Sequence, residues 1–256
     1  MRRETEEQIT KLTFRVLDEI ASLAKYSIEE LKRLYPFHAI FFPEEALPYA
    51  KQERSIVSKM GLIFYPALAE IVAKEHYGDV RREYQIEREI ESAKMNAINK
   101  IVDDLRGNRR RPDRDQELDE ILKVSSSTRQ LTRAIADLYI GDHEKGPLFL
   151  EIKSPLPNLD VCDESKRKML TFLAMMFEED RKGQAFFGLP YNPYGEGKEY
   201  RWGFTKRIMD LKGEVLIGKA LWDMIGGNGA FEEILKVAGK ARDTWTKEKK
   251  GQRRLD

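Results

Sequence analysis

Residues 131–153 are the most constraining segment of the chain. Two apolar runs, LTRAIADLYI and PLFLEIK, flank the polar turn GDHEKG, which is the pattern of an antiparallel hairpin. The turn centres near residue 144, and Asp137 and Glu151 lie equally far from it. We therefore expect these carboxylates to face each other across the ladder. Because side chains alternate along a strand, Lys153 should share the face of Glu151.

Two carboxylates beside one ammonium suit a particular chemistry. Carboxylate oxygens, helped by a backbone carbonyl, are ligands that Mg²⁺ accepts while it keeps several waters. The metal polarises a phosphate oxygen and acidifies a bound water. Lys153 can orient or deprotonate that water and offset charge in the transition state. This pattern indicates in-line hydrolysis of a phosphodiester.

The tripeptide alone says little, because (D/E)-x-K occurs seven times in this chain. Only Glu151-Ile152-Lys153 follows a continuous strand-like apolar run with an Asp at the facing position. A salt-bridged surface hairpin would also explain these charges. Asp142 is a second candidate for the acidic position, but it lies in the predicted turn, away from Glu151.

Asp137-Leu138-Tyr139-Ile140 and Glu151-Ile152-Lys153-Ser154-Pro155, followed by a predicted helix, resemble the PD-(D/E)xK nuclease superfamily. LEIKSPLPN and KQERSIVSKMGLIFYPALAEIVA resemble type II restriction endonucleases of the TdeIII kind over roughly residues 35–190. The resemblance implies an αβββαβ core in which Asp137 and Glu151 bind the metal and Lys153 is the catalytic lysine. Ala136 stands where the superfamily often has proline.

Four residues after the catalytic strand are candidate DNA contacts. Lys166, Arg167 and Lys168 open the next helix, which the resemblance places near DNA, and they could contact phosphates. A solvated helix face is the alternative for them. Asn158 could contact a base edge or merely shape a turn.

Many relatives in the superfamily add an acidic residue from the first core helix. Glu53 and Glu70 are the candidates here, and a solvated helix position is the preferred explanation for each.

The fold class predicted is α/β (α+β): a restriction-endonuclease-like core with a central mixed β-sheet flanked by helices, and a helical N-terminal half. We expect helices over 5–24 and 80–106, with a loop over 37–50. We treat residues 1–256 as a single nuclease domain. Its parts are a helical N-terminal layer (1–106), a basic linker (107–114), an α/β catalytic core (115–246) and a basic tail (247–256).

The composition indicates the cellular compartment in which the protein works. Hydrophobic residues make up 41% and charged residues 35%, which allows a core but suits no membrane protein. We find no run of about 18 apolar residues and no signal-peptide apolar region, so we expect a cytoplasmic protein. Cys162 is the only cysteine, which excludes an intramolecular disulfide. The net charge of +1 by itself does not indicate a nucleic-acid binder.

The function that fits best is a Mg²⁺-dependent type II restriction endonuclease. It would act on double-stranded DNA as a homodimer, because a two-fold symmetric site calls for a two-fold symmetric protein. It would leave 5′-phosphate ends. The TdeIII resemblance implies a GGNCC-like recognition site. Two alternatives remain: a structure-specific DNA repair or junction nuclease, and a non-catalytic DNA-binding or assembly protein.

Overall fold

The computed structural model describes residues 1–21 and 26–252. The chain divides into two compact units. The first contains Met1 and Ala69–Glu232, and the second contains Arg2–Leu68 and the segment from Glu233 onward. The predicted helix 5–24 is α1, Arg3–Ala21, and residues 22–24 of that prediction lie outside the described residues.

Helices dominate the N-terminal part of the chain. After α1 come α2 (Ile28–Leu34), α3 (Pro36–Phe41), α4 (Ala46–Lys59), a π-helical turn (Met60–Phe64) and α5 (Tyr65–Ala73). A capping box starts α2, with Ser27 Oγ accepting from Glu30 N at 3.2 Å and Glu30 Oε2 accepting from Ser27 N at 2.9 Å. The predicted loop over 37–50 is wrong, because proline is well suited to the first turn of a helix and Pro36 begins α3.

One helical stretch, Ala46–Ala73, is long and apolar enough to cross a membrane by length and composition alone. Lys59 and Glu70 interrupt its apolar residues, so the stretch contains no continuous apolar run of about 18 residues. Core helices of soluble proteins pass the same test, so the stretch supports no conclusion about a membrane.

The first unit is built on a five-stranded mixed sheet, which confirms the predicted fold class. Its strands are β1 (Val80–Glu91), β2 (Arg129–Ile140), β3 (Leu148–Ile152), β4 (Gln184–Leu189) and β5 (Val215–Ile217). Their spatial order is the same as their order in the chain. The pairs β1–β2 and β2–β3 are antiparallel, whereas β3–β4 and β4–β5 are parallel. Helices α6 to α10 complete the unit, at Ser92–Arg106, Arg114–Lys123, Leu159–Glu178, Gly203–Ile208 and Lys219–Gly226. A last helix, α11 (Ala230–Gln252), begins in the first unit and continues in the second.

The prediction of one helix over 80–106 is wrong for its first half, which is strand β1. Ile86 and Ile90 are buried, and a spacing of four residues fits one helical turn as well as one face of a strand. Only α6, from Ser92 to Arg106, is helical. Long-range pairing with β2 decides between the two patterns, and β1 pairs with β2 along nearly its whole length.

The backbone of β1 is distorted opposite the candidate site. Glu83 has a φ of 48°, which is unusual for a residue with a side chain. It lies opposite Asp137, between the pairs Arg82–Leu138 and Tyr84–Ala136. The Tyr84 ring stacks on Tyr139 with centroids 4.2 Å apart, although Tyr84 pairs in register with Ala136. The distorted backbone at Glu83 therefore redirects the side chains that follow it.

The β2–β3 register matches the prediction. Leu138 pairs with Leu150, and Ile140 pairs with Leu148, so the next position along the ladder brings Asp137 opposite Glu151. One face of this hairpin is covered by α8: the Phe149 ring stacks on Phe172 of that helix at 4.8 Å. By alternation Glu151 and Lys153 point to this same face.

Candidate active site

The three predicted catalytic side chains meet at the end of the hairpin. Lys153 Nζ donates to Asp137 Oδ2 at 2.7 Å and lies 3.0 Å from Glu151 Oε2. The same Asp137 oxygen accepts from the Ile152 backbone N–H at 2.8 Å, which fixes the carboxylate against β3. The Lys153 backbone N–H donates to Gly188 O at 3.0 Å. Pairing with β4 therefore holds the chain in place where β3 leaves the sheet.

Glu151 is fully buried, with 0% of its surface exposed. Burial raises the pKa of its carboxyl, and the nearby charge of Asp137 raises it further, while Lys153 and Lys168 oppose the shift. Its three described side-chain partners, Ser165, Lys153 and Lys168, all approach one oxygen, Oε2. The other oxygen, Oε1, is buried and accepts no hydrogen bond from the described residues. An unpartnered buried acceptor costs about 1–3 kcal/mol, and Oε1 is therefore available as a ligand for a cation.

The residues present fit a magnesium ion. Asp137 and Glu151 each direct one oxygen toward Lys153, and Glu151 Oε1 is left as a hard oxygen ligand. Within the described part of the chain, no group of three or more His, Cys, Asp or Glu side chains could hold a metal. Such an ion would therefore complete its coordination with a backbone carbonyl and water, as Mg²⁺ commonly does.

Lys153 is held as an ammonium ion. Burial would lower the pKa of its amine, but the negative charges of Glu151 and Asp137 outweigh burial and raise this pKa. About a quarter of the side chain, 24%, remains exposed. In the described state Lys153 is thus suited to orient a water and to donate to a phosphate oxygen rather than to remove a proton.

Two residues of α8 complete the site, and the sequence reasoning missed their link to Glu151. Ser165 Oγ lies 3.4 Å from Glu151 Oε2, and Lys168 Nζ lies 3.5 Å from the same oxygen. They are three residues apart and so share one face of the helix. The spacing of Ser165 and Lys168 would predict their contact with Glu151 only if the packing of α8 on β3 were already known.

Lys166 does not fit its predicted role as a DNA contact. It is 0% exposed and forms ion pairs with Glu117 of α7 and Glu214, the residue before β5. A lysine enclosed by two buried carboxylates cannot contact a phosphate. We correct this prediction: Lys166 joins α8 to two other segments of the core.

Arg167 and Asn158 have local partners and stay exposed enough to contact DNA. The Arg167 guanidinium donates to Asn99 Oδ1 on α6, and 36% of its side chain is exposed. Asn158 is the N-cap of α8, since its Oδ1 accepts from Val161 N at 2.8 Å. Its role in shaping the start of α8 was the simpler alternative. A contact to DNA through either residue remains a prediction.

Glu70 does not join the site. Its Oε1 accepts from Lys74 at 2.7 Å, and its Oε2 lies 2.8 Å from Arg82 Nε. Arg82 pairs in register with Leu138, whose side chain points to the opposite face from Asp137. Glu53 is exposed on α4 in the second unit.

Asp142 has a structural role in the hairpin turn. Its carboxylate accepts from Gly78 N at 2.7 Å and from Asp79 N at 3.2 Å. These backbone hydrogen bonds lower the pKa of its carboxyl. Asp142 therefore links this turn to the start of β1, and Asp137 is the carboxylate beside Lys153.

Two aromatic residues hold the loop that leads from Lys153 to α8. Tyr200 Oη donates to Pro155 O at 2.8 Å, and Trp202 Nε1 donates to Pro157 O at 2.6 Å. Buried polar tips of aromatic side chains normally find such partners. The two bonds fix the carbonyls of a loop that has little regular structure of its own.

Comparisons with known proteins show which class of enzyme the chain resembles. The family model described as "Type II restriction endonuclease, HinfI" matches residues 1–241. The chain is 29% identical over 238 residues to the type II restriction enzyme HgiBI of Herpetosiphon aurantiacus, covering 91% of this chain and 86% of that protein. It is 28% identical over 208 residues to HgiCII of the same organism, covering 80% and 76%. It is also 27% identical over 276 residues to the type II restriction enzyme MjaII of Methanocaldococcus jannaschii, covering 95% and 72%.

No solved structure matches the chain with significance. The comparisons confirm the predicted class of restriction enzyme and are consistent with the PD-(D/E)xK superfamily, whereas the narrower resemblance to TdeIII-type enzymes is not confirmed. The family match spans both compact units. The chain therefore belongs to the HinfI family of type II restriction endonucleases.

Proposed function

We propose that this restriction enzyme hydrolyses double-stranded DNA with Mg²⁺ at the site formed by Asp137, Glu151 and Lys153. One observation supports this most directly. The Lys153 ammonium lies 2.7 Å from Asp137 and 3.0 Å from Glu151, while the buried Glu151 Oε1 has no hydrogen-bond donor among the described residues. Salt bridging alone would not require a buried carboxylate oxygen without a partner.

The three residues have different roles in hydrolysis. Asp137 and Glu151 would hold the ion, which when bound polarises a phosphate oxygen and makes a nearby water more acidic. Lys153 orients the attacking water and donates a hydrogen bond to the phosphate oxygen on which negative charge develops. The water oxygen bonds to phosphorus and the bond from phosphorus to the 3′ oxygen breaks. The water loses one proton and the 3′ oxygen gains one, which gives a 5′-phosphate and a 3′-hydroxyl.

Further features of the function remain proposals. A homodimer follows from symmetry, since each chain supplies one site and a duplex has two strands to cut. A GGNCC-like recognition sequence rests only on the resemblance to TdeIII-type enzymes. We also propose that residues 1–256 act together as one nuclease domain and that the enzyme works in the cytoplasm.

Digestion of phage DNA by the purified chain tests the activity. With Mg²⁺ we expect discrete fragments, and EDTA should abolish them. Mapping of the fragment ends gives the recognition sequence, and ligation without prior kinase treatment shows 5′-phosphate ends. Nicking that depends on DNA structure would favour a repair or junction nuclease, and binding without any cleavage would favour a non-catalytic protein.

Asp137→Asn tests the site. We expect cleavage to slow by about 10³-fold or more, because metal-assisted charge stabilisation is worth several kcal/mol. The matched control is Asp119→Asn, since Asp119 also pairs with a lysine, Lys123 Nζ at 3.2 Å, but on the exposed side of α7. The control should cleave like the wild type. Cleavage by Asp137→Asn at the wild-type rate would show that the metal ligands lie elsewhere.

A further inference from the structure

Lys168 stands out among the basic side chains because it reaches the catalytic carboxylate from a different element. Its Nζ lies 3.5 Å from Glu151 Oε2 and 3.1 Å from Glu164 Oε1. The first distance is at the outer limit of a hydrogen bond. The second is an ordinary i,i+4 pair on the surface of α8. About a quarter of the side chain, 27%, is exposed.

Packing of α8 fixes where this lysine points. The helix is capped by Asn158 and anchored by the buried Lys166. Ser165 and Lys168 then share the face that looks at Glu151. Lys168 is therefore supported by a rigid helix, which is how a group that must act at a defined point is usually held.

The two contacts of Lys168 leave part of its donor capacity unused. Glu151 Oε2 already has Lys153 Nζ at 3.0 Å, and Lys168 Nζ approaches the same oxygen only at 3.5 Å. An ammonium has three donors, and Lys168 makes one long and one solvent-exposed contact. A positive group that is partly exposed and adjoins the metal-binding carboxylates is well placed for a DNA phosphate.

We propose that Lys168 is a second catalytic lysine, which donates to a non-bridging oxygen of the scissile phosphate. This inference rests on the proposed function of the site. When DNA binds, the Lys168 ammonium exchanges its long contact with Glu151 for the phosphate. It then offsets negative charge that grows on the phosphate oxygens as the water attacks.

Two substitutions at Lys168 test the proposal in single-turnover cleavage at saturating enzyme and Mg²⁺. Lys168→Gln should slow cleavage by about 10²-fold, the usual loss for one donor aimed at transition-state charge. Lys168→Arg should recover part of the rate, because it keeps the charge. Lys123→Gln is the matched control: Lys123 also pairs with a carboxylate four residues earlier, Asp119, and this variant should cleave like the wild type.

DNA binding in EDTA gives a readout that does not depend on cleavage. Loss of one phosphate contact should reduce the slope of log affinity against log salt by about 0.9 for Lys168→Gln. The slope should be unchanged for Lys123→Gln and for Glu164→Gln, which breaks the helical pair but keeps Lys168.

Several results would overturn the proposal. One is a Lys168→Gln enzyme that cleaves at the wild-type rate, and another is a Glu164→Gln enzyme that is equally slow. Full recovery of Lys168→Gln at Mg²⁺ concentrations above those that saturate the wild type would also overturn it, because Lys168 would then only affect metal binding by Glu151. A wild-type chain that never cleaves DNA would instead overturn the proposed function, whereas an active wild type with an inactive Asp137→Asn separates the two questions.

Discussion

Replacing Lys166 with Met removes the cation that pairs with both Glu117 and Glu214 while nearly keeping the side-chain volume. Lys166 is 0% exposed, and its partners Glu117 and Glu214 are 0% and 1% exposed. Removal of one partner from a buried ion pair costs about 3–5 kcal/mol, because the remaining charge is left uncompensated. In a chain of this size that corresponds to a melting temperature lower by about 6–20 °C.

The loss should depend on pH in a defined direction. Burial already raises the pKa of Glu117 above its ordinary value of 4.5, although Lys166 opposes this. A raised carboxyl pKa means that the stability it contributes is present below the unfolded-state pKa and is lost as pH rises through the folded-state pKa. Without Lys166 this pKa rises further, so Lys166→Met should be more destabilised at pH 8 than at pH 5.

Urea unfolding at both pH values and thermal melting measure these effects. Lys123→Met, which breaks an exposed pair, should change stability by less than about 1 kcal/mol. Glu117→Gln leaves Lys166 paired with Glu214 alone, so it should change the free energy of unfolding little. If Lys166→Met melted like the wild type, or weakened DNA binding with a smaller salt dependence, Lys166 would be a surface residue and the assignment to the core would be wrong.

Three further predictions concern the surroundings of the site. Asp142→Asn should leave the cleavage rate of plasmid DNA unchanged, because Asp142 bonds to backbone N–H groups, including that of Gly78; a rate as low as that of a metal-ligand variant would contradict this. Cys162 is buried and burial raises the pKa of its thiol to about 12, so a thiol reagent followed by absorbance should react only after unfolding; rapid labelling of the native protein would refute the buried placement. Tyr200→Phe removes the donor to Pro155 O and should cost about 1–3 kcal/mol in urea unfolding, a loss that Tyr191→Phe, at an exposed position, should not reproduce.

The candidate site could be predicted because its main determinant is local. The turn GDHEKG and the alternation of the two runs define the β2–β3 register, and the observed pair Leu138–Leu150 has that register. Strand β1 could not be predicted in this way. The spacing of Ile86 and Ile90 fits both a helix and a strand. The partner strand that decides between these two structures lies about 40 residues later, beyond helices α6 and α7.

The burial of charged residues could not be predicted from the sequence either. Lys166, Arg167 and Lys168 read as one basic cluster, yet helical geometry sends successive side chains about 100° apart around the axis. Lys166 enters the core, Arg167 faces α6, and Lys168 faces Glu151. Neither the partner Glu117 nor Glu214 can be inferred from the residues near Lys166.

The placement of Lys166 and Lys168 on one turn of α8 has a consequence for how this enzyme can vary. A substitution that loosens the buried lysine also moves the lysine that reaches Glu151, because both move with the same rigid helix. Inactivating mutations recovered from cells that survive the enzyme should therefore concentrate in this turn, and they should include substitutions that never contact DNA. Conversely, a new sequence preference would be acquired more easily through loops outside α8, since changes there leave the spacing between Lys166 and Lys168 intact.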